Sequence, residues 1–381
     1  MISDRLLSIV RCADCGGKLV PRPGGGPDEA TGRSLVCTGC GRDYNASGDY
    51  LDMRPRTAFA EQTKYLDEAL HTDARHERVS PPLLGSRIRN DMLRKFLAPA
   101  PGELVIDLGC GSGRALVWNR DTGATMAGID IAPFFSHDAR EEMDLMLGDL
   151  RKLPFADATF DKAWSLDVLE HLSPEALAGM LAEASRVLKP GGSLFVYTHV
   201  RKNAPIAIGL RWINMLARQL DRLDLIDLRQ EHLRKSDHLN PLRDVPHLQQ
   251  VAANAGFHIG RIRFYTPIVG GFVENILMRV AERALAKRAA ARQRPASRRP
   301  TSRESTVDRS SPQEPTDRQV DAHAAAIREA RLAAKARISQ RGPTYLALRA
   351  LSFAMKLDLL LFGRITSGPF FALLVKKTAG M

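Results

Sequence analysis

Asp107, Gly109, Gly111 and Gly113 stand in the run VIDLGCGSGR (105–114) with the spacing D-x-G-x-G-x-G. The apolar residues ahead of them, led in by Pro101 and Gly102, predict a strand. The glycines predict a sharp turn into a helix, with bare backbone offered to a ligand. Two more acids close apparent strands downstream, Asp130 in MAGID and Asp149 in MLGDL. Acids at neighbouring strand ends beside such a turn are suited to accepting the hydroxyls and amines of a small polar molecule. Four of the five cysteines offer a different chemistry. Cys12-Ala13-Asp14-Cys15 runs into Gly16, and Cys37-Thr38-Gly39-Cys40 runs into Gly41. Each CxxCG is a knuckle pointing two thiolates at one ion, and a β-hairpin can span the stretch between them. Four thiolates complete a tetrahedral, structural zinc (Zn2+) site with no position open for chemistry.

A dinucleotide-binding turn competes for the glycine loop. Its fingerprint, G-x-G-x-x-G, seats a pyrophosphate on a helix N-terminus. Here the spacing is G-x-G-x-G, with an acid two residues before the first glycine. The loop, Asp130, Gly148-Asp149, FDKAWSLDVLEHL (160–172) and RVLKPGGSLFV (186–196) follow in an order that resembles class I S-adenosylmethionine (SAM) methyltransferases, in their type 11-like branch. The resemblance covers roughly residues 86–200 and continues more weakly to 265.

It implies an α/β, Rossmann-like fold, a seven-stranded sheet with the last strand antiparallel. It also implies that Asp107, Gly109, Gly111, Gly113, Asp130, Ile131, Asp149, Leu150 and Asp167 bind the cofactor. Backbone amides near Gly111 and Gly113 would receive the SAM carboxylate, and Asp107 would face its ammonium side. Asp130 suits the two ribose hydroxyls, and Asp149 the adenine amino group, with Leu150 against the ring. A methyl on a sulfonium is already activated, so alignment with the acceptor and exclusion of water dominate the chemistry.

Catalytic candidates sit where strand ends face the cofactor. Tyr197 and His199 follow the fifth strand, and Asp167 follows the fourth. Glu231 and His232, in RQEHLRKSDHL, match the position of a histidine that lies near the acceptor in related enzymes. Tyr197 leans towards a core role, His171 in LEHL reads as structural, and Cys110 reads as a small loop residue rather than a nucleophile.

These groups need elements to hold them. Residues 1–55 read as a zinc ribbon. The text CADCGGKLV and CTGCGRDYNASGDYLDMRP, closing at Asp52, Arg54 and Pro55, resembles the small zinc-ribbon family that activates tRNA and protein methyltransferases. Residues 56–100 are a connector and a helix around Ser86–Leu97, with Ile88, Met92 and Phe96 on one face. Residues 101–265 alternate strand and helix signals, predicting a parallel sheet wrapped by helices and ending in a sixth strand at 256–265. Residues 266–367 read as a helical insertion with a disordered, Arg/Ser/Pro-rich linker at about 290–320. Residues 368–381 carry the final strand, Pro369–Lys377, and a tail.

Within 343–364 the helical run shows Arg349 and Lys356 on one face and a mostly apolar remainder, predicting a mostly buried helix or, less readily, one lying in a membrane interface. No stretch is long enough for a transmembrane helix or a secretory signal, and the paired cysteines fit a reducing compartment. A cytoplasmic protein is expected, with membrane association left open.

The 55 Lys+Arg against 43 Asp+Glu give a net charge of +12. Residues 281–341 hold 15 of the basic and 7 of the acidic residues, so the rest of the chain is close to neutral. That distribution favours a small-molecule or lipid-like acceptor. A nucleic-acid acceptor, contacted through the ribbon, is the second reading, and it lacks an obvious phosphate-binding face. A non-catalytic SAM-binding protein that docks a partner is the third.

Overall fold

Leu104–Leu108 is buried at all five positions, as expected of a strand covered on both faces. In the computed structural model of the chain, which describes residues 3–22, 34–47, 49–56, 78–201, 207–226, 238–284 and 342–378, this strand lies central in a twisted sheet. Glu231, His232 and the 290–320 linker lie outside the described residues.

The N-terminal unit comprises α1 (Asp4–Ile9), β1 (Leu19–Pro21), β2 (Ser34–Cys37), β3 (Asp43–Ser47) and β4 (Tyr50–Asp52). Successive strands pair antiparallel, and Leu19 faces Cys37 across the first hairpin. After α2 (Leu84–Leu97) come β5 (Leu104–Leu108), α3 (Arg114–Asn119), β6 (Thr125–Asp130), α4 (His137–Glu142), β7 (Asp144–Leu147), β8 (Phe160–Leu166), α5 (Pro174–Val187) and β9 (Leu188–His199). Helix α2 buries Ile88, Met92 and Phe96 as its spacing predicts. Ser173 caps α5 through the Ala176 N–H, with Pro174 at the first helical position.

Beyond β9 lie α6 (Ala207–Arg222), α7 (Val245–Asn254), β10 (Phe257–Phe264), α8 (Ile268–Phe272), α9 (Pro343–Phe362) and β11 (Pro369–Lys376). The core strands run β7-β6-β5-β8-β9-β11-β10, and β11 is antiparallel to both of its neighbours. This is the seven-stranded, Rossmann-like α/β sheet with a reversed last strand that the resemblance implies.

The ribbon does more than precede that sheet. Strand β4 pairs parallel with β7, Leu51 opposite Met146 and Asp52 opposite Leu147, and Met53 N–H donates to Leu147 O at 2.8 Å. Leu51 and Met53 are 0% exposed. The edge of β7 would otherwise show a bare row of N–H and C=O groups, which the ribbon's last strand satisfies. Pairing across ninety residues has no sequence signature, so the boundary at 55 gave no hint of it.

Helix α9 departs from expectation. It buries one stripe, Leu348, Ser352, Met355 and Asp358, and leaves Leu346, Phe353, Leu357, Leu360 and Leu361 exposed, with Phe353 and Leu360 at 73%. The mostly buried helix is therefore not what forms. Part of the reason is Asp358, an acid inside the apolar run that marks the inner face. Its carboxylate accepts the N–H groups of Val269 at 2.9 Å and Gly270 at 2.7 Å, capping the first turn of α8 from a neighbouring helix. Ser352 Oγ accepts from Leu84 N–H at 2.7 Å, tying α9 to the start of α2.

Candidate active site

The loop after β5 must reverse direction against β8 and β6 at once. Gly109, at φ +81°, leaves no room for a side chain, because a Cβ there would meet Val168 Cγ2 at 2.5 Å. Gly111, at φ +52°, has nothing within 4 Å of where a Cβ would stand, so its open side is the bare backbone the sequence pattern predicts. Asp130, at the end of β6, folds its carboxylate onto this loop. Oδ2 accepts Gly111 N–H at 2.7 Å and Oδ1 accepts Ala132 N–H at 3.1 Å. Gly113 N–H is also used, donating to Cys110 O at 2.9 Å. Both amides assigned to a ligand carboxylate are thus already engaged within the protein.

Asp107, only 2% exposed, sits beneath the loop. Burial pushes its carboxyl up to about 8; the Trp164 indole beside it opposes that, and the charge of Asp130 adds to it. Burial likewise raises the Cys110 thiol well above its ordinary value, consistent with an inert loop residue. Asp149 is held by Arg151, whose Nε and Nη2 donate to it at 2.8–3.0 Å. Ile131 and Leu150 are half-buried beside these acids.

The ends of β8 and β9 form the facing wall. Asp167, at φ +56°, is exposed there and pairs with Arg89 Nε at 3.3 Å. The Arg89 guanidinium lies 5.5 Å from the Tyr197 ring, and that ring stacks on Phe371 at 4.7 Å. Burial raises the Tyr197 hydroxyl above its ordinary pKa, so Tyr197 packs and stays protonated. His199 Nδ1 lies 3.5 Å from Glu170 Oε1, while Thr198 Oγ1 donates to Glu170 Oε2 at 2.9 Å. Burial acts to raise the Glu170 pKa, but His199 and Thr198 outweigh it and hold the carboxylate below its ordinary value.

Glu170 and His238 escaped the sequence reading. Glu170 sits in the same LEHL phrase as His171, and His238 lies in the run from which His232 was chosen. The His171 and His238 rings meet edge-on with centroids 4.7 Å apart. His171, read as structural, is thereby brought to the site.

In the N-terminal ribbon the four cysteines converge. Cys12 and Cys40 sulfurs lie 3.6 Å apart, Cys15 and Cys37 sulfurs 3.5 Å, and all four within 4.8 Å of one another. Zinc–thiolate bonds of about 2.3 Å place sulfurs about 3.8 Å apart in a tetrahedron, so the donor set fits zinc. Gly17 packs against the cluster, where a Cβ would meet Cys37 Sγ at 2.8 Å.

Residues 106–196 match the family described as methyltransferase domain. Methyltransferase GfsG of Streptomyces halstedii is 28% identical over 171 residues, covering 40% of this chain and 61% of that protein. Demethylmenaquinone methyltransferase of Tropheryma whipplei (strain Twist) is 37% identical over 118 residues, 28% of this chain and 47% of that one. Sterol 24-C-methyltransferase ERG6 of Saccharomyces cerevisiae is 35% identical over 109 residues, 26% of this chain and 28% of that one. The chain spans between 28% and 61% of the length of these relatives. The matched residues 106–196 run from β5 to β9 of the Rossmann-like sheet.

Proposed function

We propose that the protein is a SAM-dependent methyltransferase whose acceptor is a lipid-like molecule met at a membrane surface. The observation that carries the cofactor assignment is Asp130 at the end of β6, fixed beside the open face of Gly111. A carboxylate so held presents its remaining lone pairs to vicinal hydroxyls, as a ribose requires. SAM, when bound, supplies a methyl already activated on sulfur. The chain's own residues bind and orient: the amino-acid end lies over the open side of the Gly109–Gly113 turn with Asp107 beneath it, and Asp149 with Leu150 and Ile131 borders the base. Asp167 and His199 stand where the acceptor must approach, and His232 remains assigned to the acceptor side. The Cys12, Cys15, Cys37 and Cys40 set holds structural zinc.

The acceptor class rests on surface chemistry and on the quinone and sterol relatives. Among the described residues, all fifteen large apolar side chains that are exposed lie after residue 211, so the apolar surface is confined to one part of the chain. Trp212, Met215 and Leu216 on α6, Phe272 and Leu277 after β10, and Phe353 and Leu360 on α9 form the bulk of it. Arg211, Arg218, Arg222 and Arg349 intersperse it with positive charge, the pattern of a face that lies on anionic lipid. No helix among the described residues is long and apolar enough to cross a membrane.

Labelled SAM offered with lipid, soluble and RNA extracts separately is expected to label the lipid extract. Label confined to RNA or to the soluble extract overturns the acceptor class, and no transfer at all overturns the enzyme. The double substitution Phe353→Ser/Leu360→Ser is expected to weaken binding to anionic vesicles by about tenfold or more, with SAM affinity unchanged.

Asp107 sets a pH dependence. Its carboxyl binds a proton up to about 8 in the ligand-free protein. A cationic ligand end needs the anion, so SAM affinity should rise as pH climbs towards that value, by up to about tenfold per unit. The same linkage makes the ligand-free fold lose stability over this rise, because the folded state holds a proton that the unfolded state has released. Calorimetry between about pH 6 and 7.5 should show the slope in the wild type and a weak, flat profile in Asp107→Asn. A flat wild-type profile would remove Asp107 from the cofactor's charge balance.

A further inference from the structure

We propose that Glu170, His171 and His238 bind a divalent transition-metal cation beside the cofactor cleft, and that this cation takes an acceptor hydroxyl oxygen as its anion. The binding claim stands on the site's own geometry; the catalytic claim rests on the methyltransferase reading.

One carboxylate oxygen and two imidazole nitrogens from these residues lie within 4.8 Å of one another. Metal bonds of about 2.1 Å separate neighbouring donors by about 3.0–3.5 Å, so binding draws the set together by an ångström or so. Glu170 and His171 come from the turn Leu169–His171 after β8, whereas His238 arrives from a remote segment. That segment is fastened in place. Asn240 N–H donates to Glu170 O at 2.9 Å, Arg201 Nη2 to Leu239 O at 2.9 Å, and Arg201 N–H to Leu242 O at 3.0 Å. Three separate hydrogen bonds to its backbone hold His238 over the turn.

Glu170 is 2% exposed and has both oxygens oriented, by Thr198 Oγ1 on one side and His199 on the other. A buried carboxylate with a partner beside each oxygen is the outer shell that metal ligands require, and one of its oxygens lies within 4.8 Å of a nitrogen of each histidine. Two imidazoles and one carboxylate leave coordination positions open, unlike the closed four-thiolate ribbon. Imidazole donors also favour zinc, copper, iron or nickel over magnesium. The location suits catalysis: Val168, two residues before Glu170, packs on Gly109 of the cofactor loop, and His199 lies on the acceptor wall.

The cation lowers the pKa of a bound acceptor hydroxyl, and its proton leaves to solvent. The oxygen lone pair then forms the O–CH3 bond as the S–CH3 bond breaks, its electron pair going to sulfur to leave a neutral thioether. The acceptor class is therefore a lipid-like molecule bearing an acidic hydroxyl, a phenol or an enol.

The test is a cobalt(II) titration of the full-length protein with the ribbon zinc-loaded, followed by absorbance and calorimetry. We expect one further cation per chain with a spectrum free of thiolate charge-transfer bands. His171→Gln/His238→Gln should weaken it at least about tenfold and keep SAM affinity, and methyl transfer should fall with it. No second cation, or binding indifferent to the double substitution, overturns the site. Cation binding with transfer indifferent to the double substitution overturns its catalytic part. Cation binding without SAM binding supports the site and overturns the methyltransferase reading instead.

Discussion

Asp130→Ala is expected to lower SAM affinity by at least about a hundredfold. Two charge-assisted hydrogen bonds to ribose hydroxyls contribute about 1.5–3 kcal/mol each, and each 1.4 kcal/mol is about a factor of ten. The substitution also frees Gly111 N–H and Ala132 N–H, which Asp130 now accepts at 2.7 and 3.1 Å. Loop disorder and lost ribose contact would therefore both appear in Asp130→Ala. Asp130→Asn separates them: its amide oxygen still accepts one backbone N–H, but the charge and second acceptor are gone. Affinity should fall in both variants, and melting temperature chiefly in the alanine variant. Calorimetric affinity within about threefold of wild type in both would take Asp130 out of the cofactor site.

Removing the ribbon's metal is expected to destabilise the sheet as well as the ribbon. Structural zinc contributes of order 10 kcal/mol to the folding of small zinc modules. Here the last ribbon strand carries Leu51 and Met53 into the core and covers the β7 edge. Cys12→Ser/Cys15→Ser should lose the cysteine-bound zinc and lower the melting temperature by about 10 °C or more. The comparison is metal analysis beside calorimetry on both proteins. A wild type that folds without metal at the cysteines and melts where the variant does would refute the structural zinc.

What could be read in the chain, and what could not, divides by distance along it. The glycine loop, Asp130 and the five central strands are written in contiguous text, because turn residues and apolar runs act locally. The reversed strand was found a hundred residues from its partner, since PFFALLVKK is apolar throughout and flanked by breakers. Glu170 meeting His238 was not legible, because two chain segments must converge before either residue has a role. His232 and His238 share one polar run, and nothing local distinguishes them. Asp358 was passed over within α9 because a buried acid becomes interpretable once its acceptors' partners, Val269 and Gly270 N–H, are known. Asp149 was legible as a strand-end acid, but its tie to Arg151 was not.

The place of β11 inside the sheet has a temporal consequence. Strands β9 and β10 do not pair with each other; each pairs with β11, which is made more than a hundred residues after β10. At about 5–20 residues per second of synthesis, the ribosome leaves both edges bare for roughly 5–20 s. During that time Phe257 and Phe264 of β10 and Phe195 of β9 lack their β11 neighbours, and the nascent chain is at its most exposed to aggregation. The half of the sheet that bears His199 thus closes last, so function at the proposed acceptor side should be acquired later in biogenesis than at the proposed SAM loop.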